Sequence, residues 1–332
     1  MSVAVFVPDK PFWGARIVQI PFLQALREKF PRSEVRLHAP VAEAREFIAW
    51  GLADSVREYR RSGRPPDFLG ALADLRAARS DAVFNLRRKS TGCSLVTALA
   101  GGRRTGYDEG PFSRFLDDAV PYDSGIYMSA RYLSLLENGA RGGRDDRSIP
   151  LFRSWMEAQL PRRQAPRRVL FLVSGSREGK KWPLESFLRI VPSVEEAARA
   201  KVAFVLGPRE RAEGDRLRGE GVEVLDSPPL PERLARIDAS PLVVANDCGP
   251  SHLAQLSGRR FLGIYVPRFG APADWFLDKE NSDLVVAEDG RGLESVEPEH
   301  VLDRAVALLE TADYADSLRR FSRAETPIAA RS

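Results

Sequence analysis

Leu242-Val-Val-Ala-Asn246-Asp247-Cys248-Gly249-Pro250-Ser251-His252-Leu-Ala-Gln-Leu256 decides how this chain is read. A short valine-rich apolar run ends in polar residues. A glycine turns the chain, and Pro250 sits where a first helical turn tolerates proline. A buried strand running straight into a helix is the repeating unit of a parallel α/β sheet. The first N–H groups of such a helix lack internal partners. With the helix dipole they favour an anion by about 0.3–1 kcal/mol, and up to ~2 kcal/mol when partly buried. Gly249 lets a phosphate approach closely, and His252 in the first turn can donate to it. Asp247 repels a phosphate. Its expected tasks are to cap the helix, to orient the loop or to accept from sugar hydroxyls. An ordinary strand–turn–helix with a capping aspartate accounts for the same residues.

Upstream, Val173-Ser174-Gly175-Ser176-Arg177-Glu178-Gly179-Lys180-Lys181-Trp182-Pro183 repeats the pattern. Ser174 and Ser176 can bond phosphate oxygens, and a lysine can neutralise them. The spacing is not that of a Walker loop. No Asp-x-Asp pair occurs in the chain, so diphosphate charge falls to helix ends and cations, with no metal expected. Between the two segments lies Gly207-Pro208-Arg209-Glu210. Glu210 can grip ribose hydroxyls from a strand end, or simply complement a helix dipole.

Strand and helix alternate outward from here. Strands are expected at Val169–Val173, Val202–Leu206, Val222–Leu225, Leu242–Ala245 and Phe261–Tyr265. The helices between and after them are Pro183–Ala200, Glu210–Glu220, Leu230–Ile237 and Pro298–Glu310. The first half alternates likewise, with strands Val3–Val7, Glu34–His38 and Ala82–Leu86, and helices Ile17–Phe30, Val41–Trp50 and Leu69–Arg79. The polar, proline-bracketed stretch 161–168 reads as a linker. This divides the chain into residues 1–160 and 169–332, with a ligand expected in a cleft at the carboxyl ends of parallel strands.

The chain has 332 residues, which suits two cores of roughly 150 residues better than one. Its 43% hydrophobic and 29% charged content is that of a folded soluble protein. No apolar run approaches the ~20 residues of a membrane span. Val3–Val7 reads as a first strand, not a secretory leader. The two cysteines, Cys93 and Cys248, stand far apart, which fits a reducing cytoplasm. The net charge of +4 is mild. From Ala82 to Tyr107, however, Arg87, Arg88, Lys89, Arg103 and Arg104 occur with no acidic residue. That patch either attracts an anionic partner or is a solvated surface. No nucleic-acid motif accompanies it.

Three elements in order resemble the family 9 glycosyltransferases, the ADP-heptose:lipopolysaccharide heptosyltransferases. They are Lys180-Lys181-Trp182-Pro183, Gly207 to Glu210, and Asn246-Asp247-Cys248-Gly249 running to His252-Leu253-Ala254. Ile20 to Pro31, Asp81 to Leu86 and Arg104 to Tyr107 are similar to the family's N-terminal landmarks. The resemblance implies a GT-B protein, two Rossmann-like domains with parallel sheets facing a central cleft. It implies inverting, metal-independent transfer of a sugar, heptose in the first instance, from a nucleotide diphosphate sugar to a lipopolysaccharide core acceptor. Ser174, Ser176, Lys180, Glu210, Asp247, Cys248, Gly249 and His252 would hold the donor. Arg87, Arg88, Lys89 and Ser90 would face an anionic glycolipid. The protein would work at the cytoplasmic membrane face as a peripheral partner.

The chain departs from the family at one point. The family's Gly-Asp, which carries the expected general base, is Gly14-Ala15 here, and alanine accepts no proton. A base contributes typically 10²–10⁴-fold. Asp9 is the nearest substitute, followed by Asp108 and Glu109. Otherwise the donor or acceptor differs, or the protein binds a nucleotide sugar with impaired turnover.

Overall fold

A computed structural model of the chain describes residues 2–8, 12–40, 42–59, 65–137, 147–267, 272–288 and 290–311. The chain forms two compact units, Met1–Leu151 and Phe152–Ser332. Each is built on a six-stranded, wholly parallel sheet.

In the first unit the strands are β1 (Ser2–Phe6), β2 (Glu34–Ala39), β3 (Ser55–Glu58), β4 (Ala82–Asn85), β5 (Arg103–Tyr107) and β6 (Asp118–Val120), ordered β3-β2-β1-β4-β5-β6. In the second they are β7 (Val169–Leu172), β8 (Val202–Leu206), β9 (Glu223–Asp226), β10 (Val243–Asn246), β11 (Phe261–Tyr265) and β12 (Ser282–Val286), ordered β12-β11-β10-β7-β8-β9. In both, the order reverses beside the first strand, as in Rossmann-like folds. Ligands there gather at the carboxyl ends of the strands flanking the switch. The central strands are buried along their whole length, which is why they read as unbroken apolar runs.

Every strand expected from the sequence is present, to within a residue at either end. Four more exist that apolar patterning does not announce. β5 begins Arg103-Arg104, and β6 is only three residues long. The ladders to their neighbours hold them, and opposite charges pair across β5 and β6: Arg103 Nη2 reaches Asp118 Oδ1 at 2.8 Å, and Arg104 Nε reaches Asp117 Oδ2 at 2.9 Å. β3 lies at a sheet edge with no fully buried residue, and β12 lies at the edge of the other sheet. The expected helix Val41–Trp50 is instead a 3₁₀ turn, Ala42–Arg45, followed by one helical turn, Glu46–Ala49. The expected helix Ile17–Phe30 is the helix Ile20–Lys29 preceded by a short one, Trp13–Ile17. Stretch 161–168 carries no helix or strand.

The core of the second unit forms around Trp182, which is 1% exposed, with Phe171, Phe187 and Phe204. The indole ring meets Phe187 edge-on at 4.7 Å, and its N–H donates to the Val296 carbonyl at 3.0 Å. An aromatic donor buried this deeply needs such a partner.

In the first unit His38 is fully buried at the end of β2, against the Phe6 ring at 5.0 Å. Neither ring nitrogen has a hydrogen-bond partner among the described residues. Burial, reinforced by Arg36 and Arg57, lowers its pKa to about 4. An unfolded histidine takes its proton near 6.5. Between these values the unfolded chain binds more protons, so stability falls as pH drops from about 6.5 to about 4. Urea unfolding at pH 7 and pH 4.5 should show His38→Phe losing roughly 2–3 kcal/mol less than the parent over that interval. Equal losses would remove His38 as a source of acid sensitivity.

Candidate functional site

β10, β7 and β8 are adjacent in the second sheet. Their carboxyl ends therefore bring together three segments that lie far apart in sequence: Asn246–Cys248, Ser174 onward, and Gly207–Glu210. Asn246 joins two of them. Its Oδ1 accepts from the Trp182 N–H at 3.1 Å, and its Nδ2 donates to the Val173 carbonyl at 2.7 Å. Asn246 and Trp182 are buried, so both ends of this amide serve groups that water cannot reach.

Two lysine–carboxylate pairs follow. Lys180 Nζ is paired with Asp247 Oδ2. The two side chains are only 16% and 18% exposed. Lys181 Nζ lies 3.3 Å from Glu210 Oε1 and 3.2 Å from Glu178 Oε2. Lys180 closes the 3₁₀ turn Glu178–Lys180, and Lys181 is extended. The chain leaves the turn between the two, and one lysine serves the β10 loop while the other serves the β8 loop. Burial by itself would lower the Lys181 ammonium, but Glu178 and Glu210 outweigh it and its pKa is raised. Lys181 has no role in the sequence reading. The signal was the doubled lysine itself.

Glu210 is 4% exposed and both of its oxygens are engaged. Ser174 Oγ donates to Oε2 at 3.1 Å while accepting from the Gly207 N–H at 2.7 Å. A Cβ at Gly207 would stand 2.6 Å from Glu210 Oε2 and 3.2 Å from Ser174 Oγ, so a larger residue there has to displace the carboxylate. Ser176 is exposed on the same loop.

The helix Gly249–Leu256 starts beside the Lys180–Asp247 pair. Its N-cap is Cys248, in extended conformation and without a side-chain capping bond. Of the tasks considered for Asp247, capping is thus not the one observed; its carboxylate is held by Lys180. Burial pushes the Cys248 thiol up to about 12, so it is a neutral, inert group. His252 is 3% exposed. Burial lowers its pKa to about 4, with Asp247 opposing and Lys180 assisting. The imidazole is neutral at physiological pH, and its ring lies 5.6 Å from that of Trp275. Trp275 was not legible as a neighbour, since 23 positions separate it from His252 and only the β11 crossover returns the chain. Lys180, the start of the helix Gly249–Leu256 and the neutral imidazole of His252 lie near one another, with the Ser174 hydroxyl on the neighbouring strand end. Such a set can hold a diphosphate and stabilise charge that builds on it.

The first unit treats its basic residues differently. Arg87 turns inward, its Nη1 bonded to the Tyr59 hydroxyl and 3.5 Å from Cys93 Sγ. Arg88 forms a two-pronged pair with Glu109, Nη2 to Oε1 at 2.9 Å, and its guanidinium carbon stands 3.9 Å from the centre of the Tyr122 ring. Arg103 and Arg104 are paired with Asp118 and Asp117 as above. Lys89 is exposed. Ser90 caps the helix Thr91–Leu99, accepting from the Cys93 N–H at 3.3 Å. The acid-free run is therefore compensated by carboxylates from 109–118. Ala15 is buried in the helix Trp13–Ile17, its carbonyl accepting from Gln19 Nε2 at 2.7 Å. Asp9 lies outside the described residues. Glu109, a stand-in base, is held by Arg88, which lowers its pKa and its appetite for a proton. Asp108 donates its backbone N–H to the Val120 carbonyl at 2.9 Å.

A family model described as glycosyltransferase family 9 (heptosyltransferase) matches residues 71–269. Among solved structures, Escherichia coli heptosyltransferase WaaC with ADP superposes with a TM-score of 0.68 at 21% identity, over 93% of this chain and 100% of that one. E. coli ADP-heptose lps heptosyltransferase II gives 0.63 at 18% identity, over 93% and 98%. The UDP-GlcNAc 2-epimerase of Methanocaldococcus jannaschii gives 0.56 at 12% identity, over 98% and 99%. At these identities the likenesses show a shared GT-B-type fold of two Rossmann-like domains. Among curated proteins no sequence matches.

Gly207→Ala should dislodge the Glu210 carboxylate and break its bonds to Ser174 and Lys181. A loss of about 1.5–3 kcal/mol, the usual worth of a hydrogen bond to a charged group, is expected in denaturant unfolding. An unchanged midpoint would mean that the carboxylate moves aside without cost.

Proposed function

The chain belongs to glycosyltransferase family 9, and from that premise we propose that it moves a sugar, heptose in the first instance, from an ADP-type sugar nucleotide to a lipopolysaccharide core acceptor. The transfer inverts the anomeric centre and needs no metal. The observation that carries this reading is the Lys180–Asp247 pair at the start of the helix Gly249–Leu256, with Ser174 and Glu210 on the adjacent strand ends. Two solved relatives of this fold are named for ADP or ADP-heptose.

In this reading the acceptor hydroxyl gives its proton to a base, for which Asp9 is the candidate, and attacks the anomeric carbon; the bond to the diphosphate oxygen breaks, and negative charge collects on the leaving diphosphate. Lys180, held in place by Asp247, neutralises it. The helix N-terminus and His252 add hydrogen-bond donors, which act where charge develops in the transition state. Ser174 and Ser176 line the phosphate path, and Glu210 takes the ribose. The acceptor lies with the first unit, where the exposed Lys89 meets an anionic glycolipid at a membrane face; the expected partners Arg87, Arg88 and Ser90 are engaged within the unit. Among the described residues no helix is long and apolar enough to cross a membrane.

Ala15 favours a second reading, a nucleotide-sugar-binding protein whose turnover is impaired. Calorimetric titration with ADP and a transfer assay with ADP-heptose separate the two. Binding with transfer supports the transferase. Binding without transfer, together with transfer gained in Ala15→Asp, supports the impaired form. Lys180→Ala should slow transfer by about ten- to a hundredfold, since one charge-assisted hydrogen bond is worth ~1.5–3 kcal/mol. That substitution also strands the Asp247 charge, so the double variant with Asp247→Asn is the control. Unaltered kinetics in both would take Lys180 out of the site.

A further inference from the structure

Gln255 lies one turn beyond His252 on the helix Gly249–Leu256 and is fully buried. Its Oε1 accepts from the Leu277 backbone N–H at 2.7 Å. A backbone N–H can only donate, so this bond settles which end of the amide is oxygen. The NH₂ end therefore faces the other way, toward the Trp275 carbonyl at 3.3 Å, the Tyr265 hydroxyl at 3.4 Å and His252 Nδ1 at 3.4 Å. Tyr265 in turn donates its hydroxyl hydrogen to the Trp275 carbonyl at 3.3 Å. That carbonyl is thus served from a second side, and a Gln255 hydrogen is available to the imidazole.

We infer that Gln255 sets the tautomer of His252: by donating to Nδ1 it places the single ring proton on Nε2. A neutral imidazole has one donor and one acceptor nitrogen, and the bond made by one nitrogen decides the state of the other. A donor amide at Nδ1 makes that nitrogen the acceptor. His252 then offers an N–H from Nε2, as a group holding an anion must. Gln255 is a positioning residue. It is fully buried, and it also pins the turn at Leu277 to the helix. The use of this N–H toward a phosphate rests on the donor-site reading above; the tautomer does not.

The chain has three histidines, so the imidazoles can be assigned in the full-length, ¹⁵N-histidine-labelled protein by His38→Gln and His300→Gln substitutions. Two-bond ¹H–¹⁵N correlation spectra at neutral pH then read the tautomer directly. The parent should show His252 protonated at Nε2. In Gln255→Glu the carboxylate still accepts from the Leu277 N–H but can no longer donate, so Nδ1 should carry a proton. In Gln255→Leu the Nε2–H preference should weaken to a mixture. If that variant fails to fold, the glutamate variant decides alone. A parent protonated at Nδ1, or an Nε2–H signal that persists unchanged in the glutamate variant, overturns the inference. Adding ADP to the parent keeps the two questions apart. An Nε2 resonance that does not move with ADP counts against the donor site and leaves the tautomer assignment standing.

Discussion

The side-chain amide of Asn246 is the constraint on which the second unit's site depends. It ends β10, accepts from the backbone of Trp182 and donates to the backbone that leaves β7. Loops at strand ends carry backbone groups that no ladder satisfies. Here one amide satisfies two of them and so sets where the Lys180-Lys181 segment runs. Trp182 completes the hold by filling the core beneath and bonding Val296. The lysines are thereby delivered to their carboxylates by packing and not by charge alone.

That order of causes matters because buried ion pairs are a poor source of stability. Desolvation of both charges offsets most of their attraction. Lys180–Asp247 and Lys181–Glu210 lie largely out of solvent, on a scaffold that apolar burial already holds together. Their persistence there fits a site that must present positive charge at a fixed place. Cys248 and His252 beside them are both held neutral by burial, which leaves Lys180 and the helix end as the positive features at this spot.

The two units also differ in how they use arginine. In the first, the side chains that look like a cationic surface in the linear sequence are absorbed into structure: Arg87 into the Tyr59–Cys93 contact, Arg88 onto Glu109 and Tyr122, and Arg103 and Arg104 into the pairing of β5 with β6. A count of charge over a window cannot see this. The compensating acids come from residues 109–118, just beyond the window: the parallel pairing of β5 with β6 brings Asp117 and Asp118 into range, and that of β4 with β5 brings Glu109 to Arg88.

By itself, the sequence determined the α/β class, the doubled architecture, the buried strands and the identity of most groups around Lys180 and Asp247. The reason is that buried parallel strands must be apolar along their whole length, and strand-to-helix turns demand glycine, proline and small polar residues. Both requirements are local and leave marks in the chain. The partnerships were decided only by the tertiary structure. That Asp247 pairs with Lys180 and does not cap its helix, that Lys181 reaches Glu210, that Gln255 bonds the Leu277 backbone and that Trp275 stands against the His252 ring all depend on strand order and on crossovers. These place residues 20 to 70 positions apart within a few ångströms, and no local pattern encodes that distance. Edge strands such as β3 and β6 escaped for the same reason: neighbouring strands hold them, not their own hydrophobicity.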